Sequence, residues 1–176
     1  MRKDLLILSF VILIIAVLFS GTKIQSVDEY YLTHIDEITP DSETVYISIR
    51  SDTLLNNMEK LKSELHVYVP TDGVILPESE YVLRPGDTVF DILHRAVRHN
   101  RIQMEFQGAD KNIYSSVYIQ GIQYLYEFSA GPLSGWMYEV NGVFPNYGVS
   151  KYKLKDGDHI TFHYTVNLGK DLGHSF

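Results

Sequence analysis

Seven histidines and 22 acidic side chains could support acid–base or metal chemistry, but their spacing argues against both. His94 and His99 stand five apart, off the four-residue spacing that sets two ligands on one helix face. His159 and His163 share one side of a strand-like run, with Thr161 between them and no third ligand nearby in sequence. They read as ordinary exposed residues, with a metal pair as the alternative. Asp156 and Asp158 flank Gly157, where turn carboxylates are expected, and a calcium loop needs many more oxygen ligands in order. Gly131-Pro132-Leu133-Ser134-Gly135 lacks the glycine spacing of a nucleophile elbow. The chain has no cysteine, so thiol nucleophiles, disulfides and thiolate metal sites are excluded. No catalytic residue and no metal ligand is expected, and the chain does not read as an enzyme.

Aromatic residues carry the binding case. Tyr124, Tyr126, Trp136, Tyr138, Phe144 and Tyr147 fall in one glycine-interrupted segment. Tyr and Trp join a flat apolar face to a polar edge, which suits a ligand or a protein surface. The loop Ser129 to Gly135 leaves room beside Trp136, and the turn from Asn141 to Tyr147 offers a second wall. Asn146 is its polar companion, because its amide both donates and accepts. A small domain also needs aromatics for its core. Two readings of Trp136 stay open, core packing and exposed platform; Tyr138 shares its strand phase.

These residues need a scaffold. Val45, Ile47 and Ile49 alternate with polar partners, the period of a strand with one buried face. Leu54, Met58, Leu61 and Leu65 recur at helical spacing. Leu65, Val67 and Val69 suggest another strand, and Val74 to Leu83 reads as extended or irregular. Arg84-Pro85-Gly86-Asp87 is a turn, after which Asp87 or Thr88 caps a helix from Val89 to about His99. Its start reads as a structural cap rather than an anion site. Short strands follow at Ile102 to Phe106 and Ile113 to Ile119, and Gly121 to Phe128 contains a turn and a strand-like element. Trp136, Tyr138 and Val140 alternate toward Asn141-Gly142, a strong hairpin signal, with Val143 and Phe144 opening the return arm. Beyond the Lys155 to Asp158 turn, Ile160, Phe162, Tyr164 and Val166 face one way. The fold class expected is α+β: a β-grasp-like curved sheet under one main covering helix, preceded by a β-α extension and an N-terminal membrane helix. Two small lobes, 44–83 and 84–170, are the alternative.

Leu5 to Phe19 holds fifteen residues with no charge, just after Arg2 and Lys3. It reads as a single-pass anchor through residues 5–21, or as a cleaved signal peptide whose apolar region runs about 7 to 15 residues. The positive flank stays inside, and the C-terminal domain lies outside the cell. Cleavage of 1–21 would make the protein secreted. With no cysteine for lipid attachment, a lipoprotein is excluded. Residues 22–43 read as a spacer, 44–170 as the exported domain and 171–176 as a tail. A net charge of -7 argues against a nucleic-acid surface.

Three stretches, Gly86-Asp87-Thr88-Val89-Phe90-Asp91-Ile92-Leu93, Gly135-Trp136-Met137-Tyr138-Glu139-Val140-Asn141-Gly142 and Leu154-Lys155-Asp156-Gly157-Asp158-His159-Ile160, resemble the motifs of one bacterial surface-domain family. It is domain of unknown function 4430, also described as transcobalamin C-terminal-like, and the likeness extends over roughly 44 to 173. The resemblance implies a small β-grasp-like domain. In animal vitamin B12 carriers the related domain closes over one side of a corrinoid, so it implies a corrinoid or another bulky ligand here, with no cofactor required. The carriers' α-helical barrel is missing from this sequence, which leaves one half of such a site. The expected partners are the cell membrane through residues 5–21 and either a small molecule or a cell-surface protein. The alternative is a non-enzymatic surface scaffold or adhesion module that binds protein or wall polymer.

Overall fold

The computed structural model describes residues 2–20, 26, 30 and 34–173. The chain divides into two compact units, Met1–Tyr30 and Tyr31–Phe176. In the first, helix α1 spans Arg2–Ser20. Its side chains at Leu5, Ile7, Leu8, Phe10, Ile12 and Leu13 are all exposed around the helix. Among the described residues no helix is long and apolar enough to cross a membrane. Arg2, Lys3 and Asp4 occupy its first turn, and the apolar run of about fifteen residues rises only about 22 Å against a ~30 Å hydrocarbon core. The expected N-terminal membrane helix is therefore not supported as a span. Most of residues 21–33 lie outside the described residues, and with them much of the first half of the expected spacer.

The second unit is a mixed α+β fold. Its strands are β1 (Thr44–Arg50), β2 (Val74–Val82), β3 (Met104–Gln107), β4 (Tyr118–Ile122), β5 (Leu125–Tyr126), β6 (Gly135–Val140) and β7 (His159–Thr165). Four form a sheet in the order β2-β1-β7-β6, and β3-β4-β5 form a second. The central pair, β1 and β7, runs parallel, while β2 and β6 flank it antiparallel. Alternation drives this arrangement: Val45, Ile47 and Ile49 of β1 and Ile160, Phe162 and Tyr164 of β7 are all buried.

Helix α2 (Val89–His99) packs in the same core. Val89, Ile92, Leu93, Ala96 and Val97 recur at three- and four-residue steps and are buried together with Val45, Ile47, Ile49, Ile160 and Phe162. Thr88 rather than Asp87 caps it. The Asp91 side chain accepts from Thr88 N at 2.8 Å, and Thr88 Oγ1 accepts from Asp91 N at 3.4 Å, a reciprocal capping box.

Several expected elements differ. The helix over 54–65 is instead a series of 3-10 turns at Asp52–Asn56, Met58–Lys60 and Ser63–Tyr68. Asn57 Nδ2 donates to Thr53 O at 2.8 Å, taking the carbonyl that a continuing α-helix would use, and Asn57 leaves helical geometry at φ -143°. Leu54 and Leu61 still reach a second apolar cluster with Leu125, Tyr164 and Val166. The expected strand at 65–69 is lost to the last of these turns. The segment 34–43 is not a plain spacer: Asp36 accepts from Arg84 Nε at 3.0 Å and Nη2 at 2.9 Å. Nor is Asp171 loose tail, because its carboxylate accepts from Val166 N at 2.8 Å.

Asn141 and Gly142 have φ 53° and 77°, the two positive values of a type I′ turn. The turn closes only on Val143; no return strand forms at Val143 and Phe144. Pro145, which cannot donate to a ladder, follows at once, and β6 takes β7 as its partner. Asn141 Nδ2 donates to Asp158 Oδ1 at 2.8 Å, and its Oδ1 accepts from His159 N at 2.9 Å, tying the turn to the start of β7. A Cβ at Gly142 would meet nothing within 4 Å. Gly142→Val is therefore expected to cost about 1–3 kcal/mol through backbone conformation alone. Chemical unfolding of the two proteins checks this, and an unchanged midpoint would show that the turn does not hold positive φ in solution.

Candidate functional site

Two recesses adjoin beside β6. The larger, about 270 Å³, is bounded by Tyr114, Tyr118, Pro145, Asn146, Tyr147 and Gly148 among others. The smaller, about 150 Å³, runs between Val117 to Ile119 and Trp136 to Tyr138, with Phe162 also lining it. Val117, Tyr118 and Gly148 border both, so the two form one groove.

Each wall is built by side-chain-to-backbone bonds. On one side, Asn112 Nδ2 donates to Gly108 O at 3.1 Å and to Ser116 O at 2.7 Å, folding the loop that presents Tyr114. Val117 N donates to Ser150 Oγ at 2.9 Å, joining that loop to the other wall. On the other side, Tyr138 Oη donates to Tyr147 O at 2.6 Å and sets the height of the 145–148 loop. The walls meet at Gly148, where a Cβ would sit 2.0 Å from Ser116 Oγ, so only glycine allows this approach.

Trp136 is half-buried. Its Nε1 donates to Leu125 O at 2.7 Å, and its ring meets Tyr164 edge-on at 5.3 Å. It is at once core and groove wall, which resolves the two readings left by its sequence. Burial pushes the Tyr138 hydroxyl well above the usual phenol range, with Tyr152 adding to the shift. Tyr118 is pushed up too, first by burial and then by its hydrogen bond to the Glu127 carboxylate. Both phenols stay neutral donors at physiological pH. Tyr147 is 66% exposed, so its ring is free to meet a ligand.

Of the residues expected at the site, Trp136, Tyr138, Asn146 and Tyr147 come together along the groove. Phe144, Tyr124 and Tyr126 do not line it. The Phe144 ring lies 6.1 Å from His163, whose strand position alternates with that of core-facing Phe162. Tyr124 packs on Tyr68 at 4.6 Å. Tyr126 Oη donates to Glu105 Oε1 at 2.7 Å and accepts from Gln103 Nε2 at 2.9 Å; the Glu105 bond is the main cause of its raised pKa. The sequence missed Tyr114 and Tyr118. The supposed strand over 113–119 gave no sign that a loop would carry Tyr114 while Tyr118 opens β4 beside it.

His94, His159 and His163 do not line this groove. His159 Nδ1 lies 2.9 Å from Glu78, His163 Nε2 lies 3.4 Å from Glu139, and His94 stacks on Phe90 at 5.3 Å. Among the described residues no group of three or more His, Cys, Asp or Glu is placed to hold a metal ion.

An α+β module with an aromatic groove beside its edge strand is the class these observations define. Residues 86–166 match the family described as Domain of unknown function (DUF4430). The match covers less than the 44 to 173 suggested by the motifs. No curated protein matches the chain in sequence. Among solved structures, haptocorrin in complex with Cbi is similar at 13% identity and TM-score 0.49. That likeness covers 76% of this chain but only 27% of the haptocorrin chain. A Ruminococcus gnavus protein provisionally described as metal-binding is similar at 10% identity and TM-score 0.41, covering 70% of this chain and 96% of that one. At these scores neither likeness bears on ligand or mechanism.

Proposed function

We propose that residues 31–176 are a non-enzymatic binding module of an exported protein, and that the groove takes one face of a bulky small molecule of the corrinoid type. The observation that carries this is the groove itself, lined by Tyr114, Tyr118, Trp136 and Tyr147 between β6, the start of β4 and the 145–148 loop. Ligand pockets that enclose their guests run about 300–1,000 Å³. Recesses of about 270 and 150 Å³ are too small to enclose a large planar ligand, so contact is one-sided. The family resemblance supports the same geometry, since the related carrier domain covers a single side. The central parallel pair between two antiparallel strands supports the β-grasp-like reading of the sheet.

The export reading rests on Arg2 and Lys3 ahead of the apolar run. The length of the apolar run within α1 favours a processed signal over a spanning anchor, and a new N-terminus near Gly21 on protein recovered outside the cell would support it. Recovery of the whole chain only from the cell interior would overturn it.

Trp136 is the sole tryptophan and borders the groove. Titrating the full chain with cobinamide is expected to change its fluorescence saturably, with calorimetry as a check against optical absorption by the ligand. Tyr147→Ala should weaken binding at least about tenfold, or ~1.4 kcal/mol, while leaving the unfolding midpoint in place. No saturable binding by either method would defeat the corrinoid reading. Equal affinity in wild type and a folded Asn146→Ala, Tyr147→Ala double variant would remove the groove from it.

A further inference from the structure

Three large apolar side chains stand in water where neither the core nor the turns call for them. Phe128 and Leu133 belong to the loop between β5 and β6, and Leu168 follows β7. They are 63%, 44% and 49% exposed. Phe128 and Leu168 also hold positive φ, at 64° and 49°. Glycine or asparagine sits easily in that conformation, whereas a bulky side chain there is strained. The two loops adjoin: Leu168 N donates to Leu133 O at 2.9 Å, and Phe128 N donates to Ser134 O at 2.9 Å. Each is braced by a buried hydroxyl. Ser134 Oγ accepts from Ala130 N at 3.0 Å and donates to Gly131 O at 2.8 Å. Thr165 Oγ1 accepts from Asn167 N at 3.1 Å and Gly169 N at 2.7 Å. A braced backbone that keeps strain in order to show an apolar side chain to solvent marks a use for that side chain.

Charge and area decide what the patch meets. From Phe128 to Ser134 and from Thr165 to Gly169 the sequence carries no charge, in a protein of net charge -7. Lys170 follows, and the Asp171 carboxylate is turned inward, accepting from Val166 N at 2.8 Å. A stable dimer or protein interface buries about 800 Å² per partner, from about 20–30 residues a side. Three side chains with Pro132 beside them fall well short of that. Binding to a bilayer scales with the apolar area inserted and needs no matching surface.

We propose that these two loops rest on a lipid surface, with Phe128, Leu133 and Leu168 inserted at its acyl boundary. None of the three lines the aromatic groove, so the contact is independent of the ligand placed there. Lys170 alone gives little attraction to anionic headgroups. Contact is therefore by apolar insertion, and it persists on neutral lipid and at high salt.

The chain has no cysteine, so a single introduced thiol can be labelled without interference. Phe128→Cys, Leu133→Cys and Leu168→Cys are each made in the full chain and given a polarity-sensitive fluorophore. Exposed Val143→Cys, in the turn beyond the far end of β6, is the control. On vesicles of phosphatidylcholine alone, the labels at 128, 133 and 168 are expected to emit at shorter wavelength. They should lose most of their emission when the lipid carries a doxyl quencher, while the control stays in water. The readout is local to the loops, so vesicle binding through the apolar run of α1 does not count toward it. Phe128→Asn with Leu168→Asn relieves both strained positions. Added to Leu133→Cys, the pair is expected to leave the unfolding midpoint unchanged or higher and to abolish quenching at 133. Equal quenching at all sites, quenching that survives the asparagine pair, or no lipid contact overturns the proposal. So does a dimer in sedimentation that Leu133→Asp breaks up, which would give the patch to a second copy of the chain.

Discussion

Phe162→Ala is expected to destabilise the second unit by about 3–5 kcal/mol. Phe162 is 1% exposed and stands in β7 between β1 and β6, opposite Ile49 on one side and Tyr138 on the other. Its ring stacks on Tyr138 at 5.8 Å and 26°. Truncation removes apolar area from water-free surroundings and leaves a cavity that the two flanking strands, both bonded to β7, cannot collapse to fill. A loss of that size is a large share of the ~5–15 kcal/mol that stabilises a typical domain. Phe162→Leu conserves most of the volume and should cost under about 1.5 kcal/mol. Urea unfolding measures both. A loss under about 1 kcal/mol for the alanine variant would show that β7 is not the centre of the core. The same residue borders the smaller recess, so the alanine variant should also lose the support that positions Tyr138 and, through its hydroxyl, the Tyr147 loop.

The parts legible in the sequence are those set by near neighbours. Alternation placed Val45, Ile47 and Ile49, and likewise Ile160, Phe162 and Tyr164, on buried faces because a strand's period needs no partner to be read. The cap before Val89 and the I′ turn at Asn141-Gly142 followed from local backbone chemistry in the same way. What remained hidden depends on distant pairing or on a single competing side chain. The parallel register of Tyr46 with His159 joins chain segments more than a hundred residues apart, and no local pattern encodes it. Asn57 turned a well-spaced apolar stripe into 3-10 turns with one hydrogen bond to Thr53 O. The stripe did identify the buried leucines, but not the backbone that carries them. Asn112 folds the start of the supposed strand at Ile113 into a loop that brings Tyr114 to the groove unannounced, and the strand itself begins only at Tyr118. Phe144 was expected beside Asn146 because the turn was read as a long hairpin. Pro145 ends that arm and leaves Phe144 near His163. The groove was thus half legible: its β6 wall and the 145–148 loop lay in a recognisable turn region, while its opposite wall is a tertiary product.

Asp87→Ala is expected to cost about 3–5 kcal/mol, although Asp87 is not the helix cap that the sequence offered as one of two choices. Its carboxylate accepts from Arg84 N at 2.8 Å and pairs with Arg95 Nη2. Both side chains are about nine-tenths buried, with 11% and 12% of their surface exposed. Arg95 has little else to hold it. Nη2 also donates to Val82 O at 3.0 Å, but Nε and Nη1 have no hydrogen-bond partner among the described residues. Asp36 lies 3.8 Å from Nη1 and is 38% exposed, where solvent weakens its attraction. Removing Asp87 therefore strands a buried guanidinium, whereas Asp36→Ala should cost under about 1 kcal/mol. The penalty belongs to the unpaired charge more than to the lost bond. Replacing both partners, as Asp87→Ala with Arg95→Met, should therefore recover at least half of it. Chemical unfolding of the three variants separates the causes. A double variant no more stable than Asp87→Ala would place the loss in the Arg84 to Asp87 turn, where the Arg84 N–H also goes unsatisfied, and would remove the buried ion pair from the account of how α2 is seated.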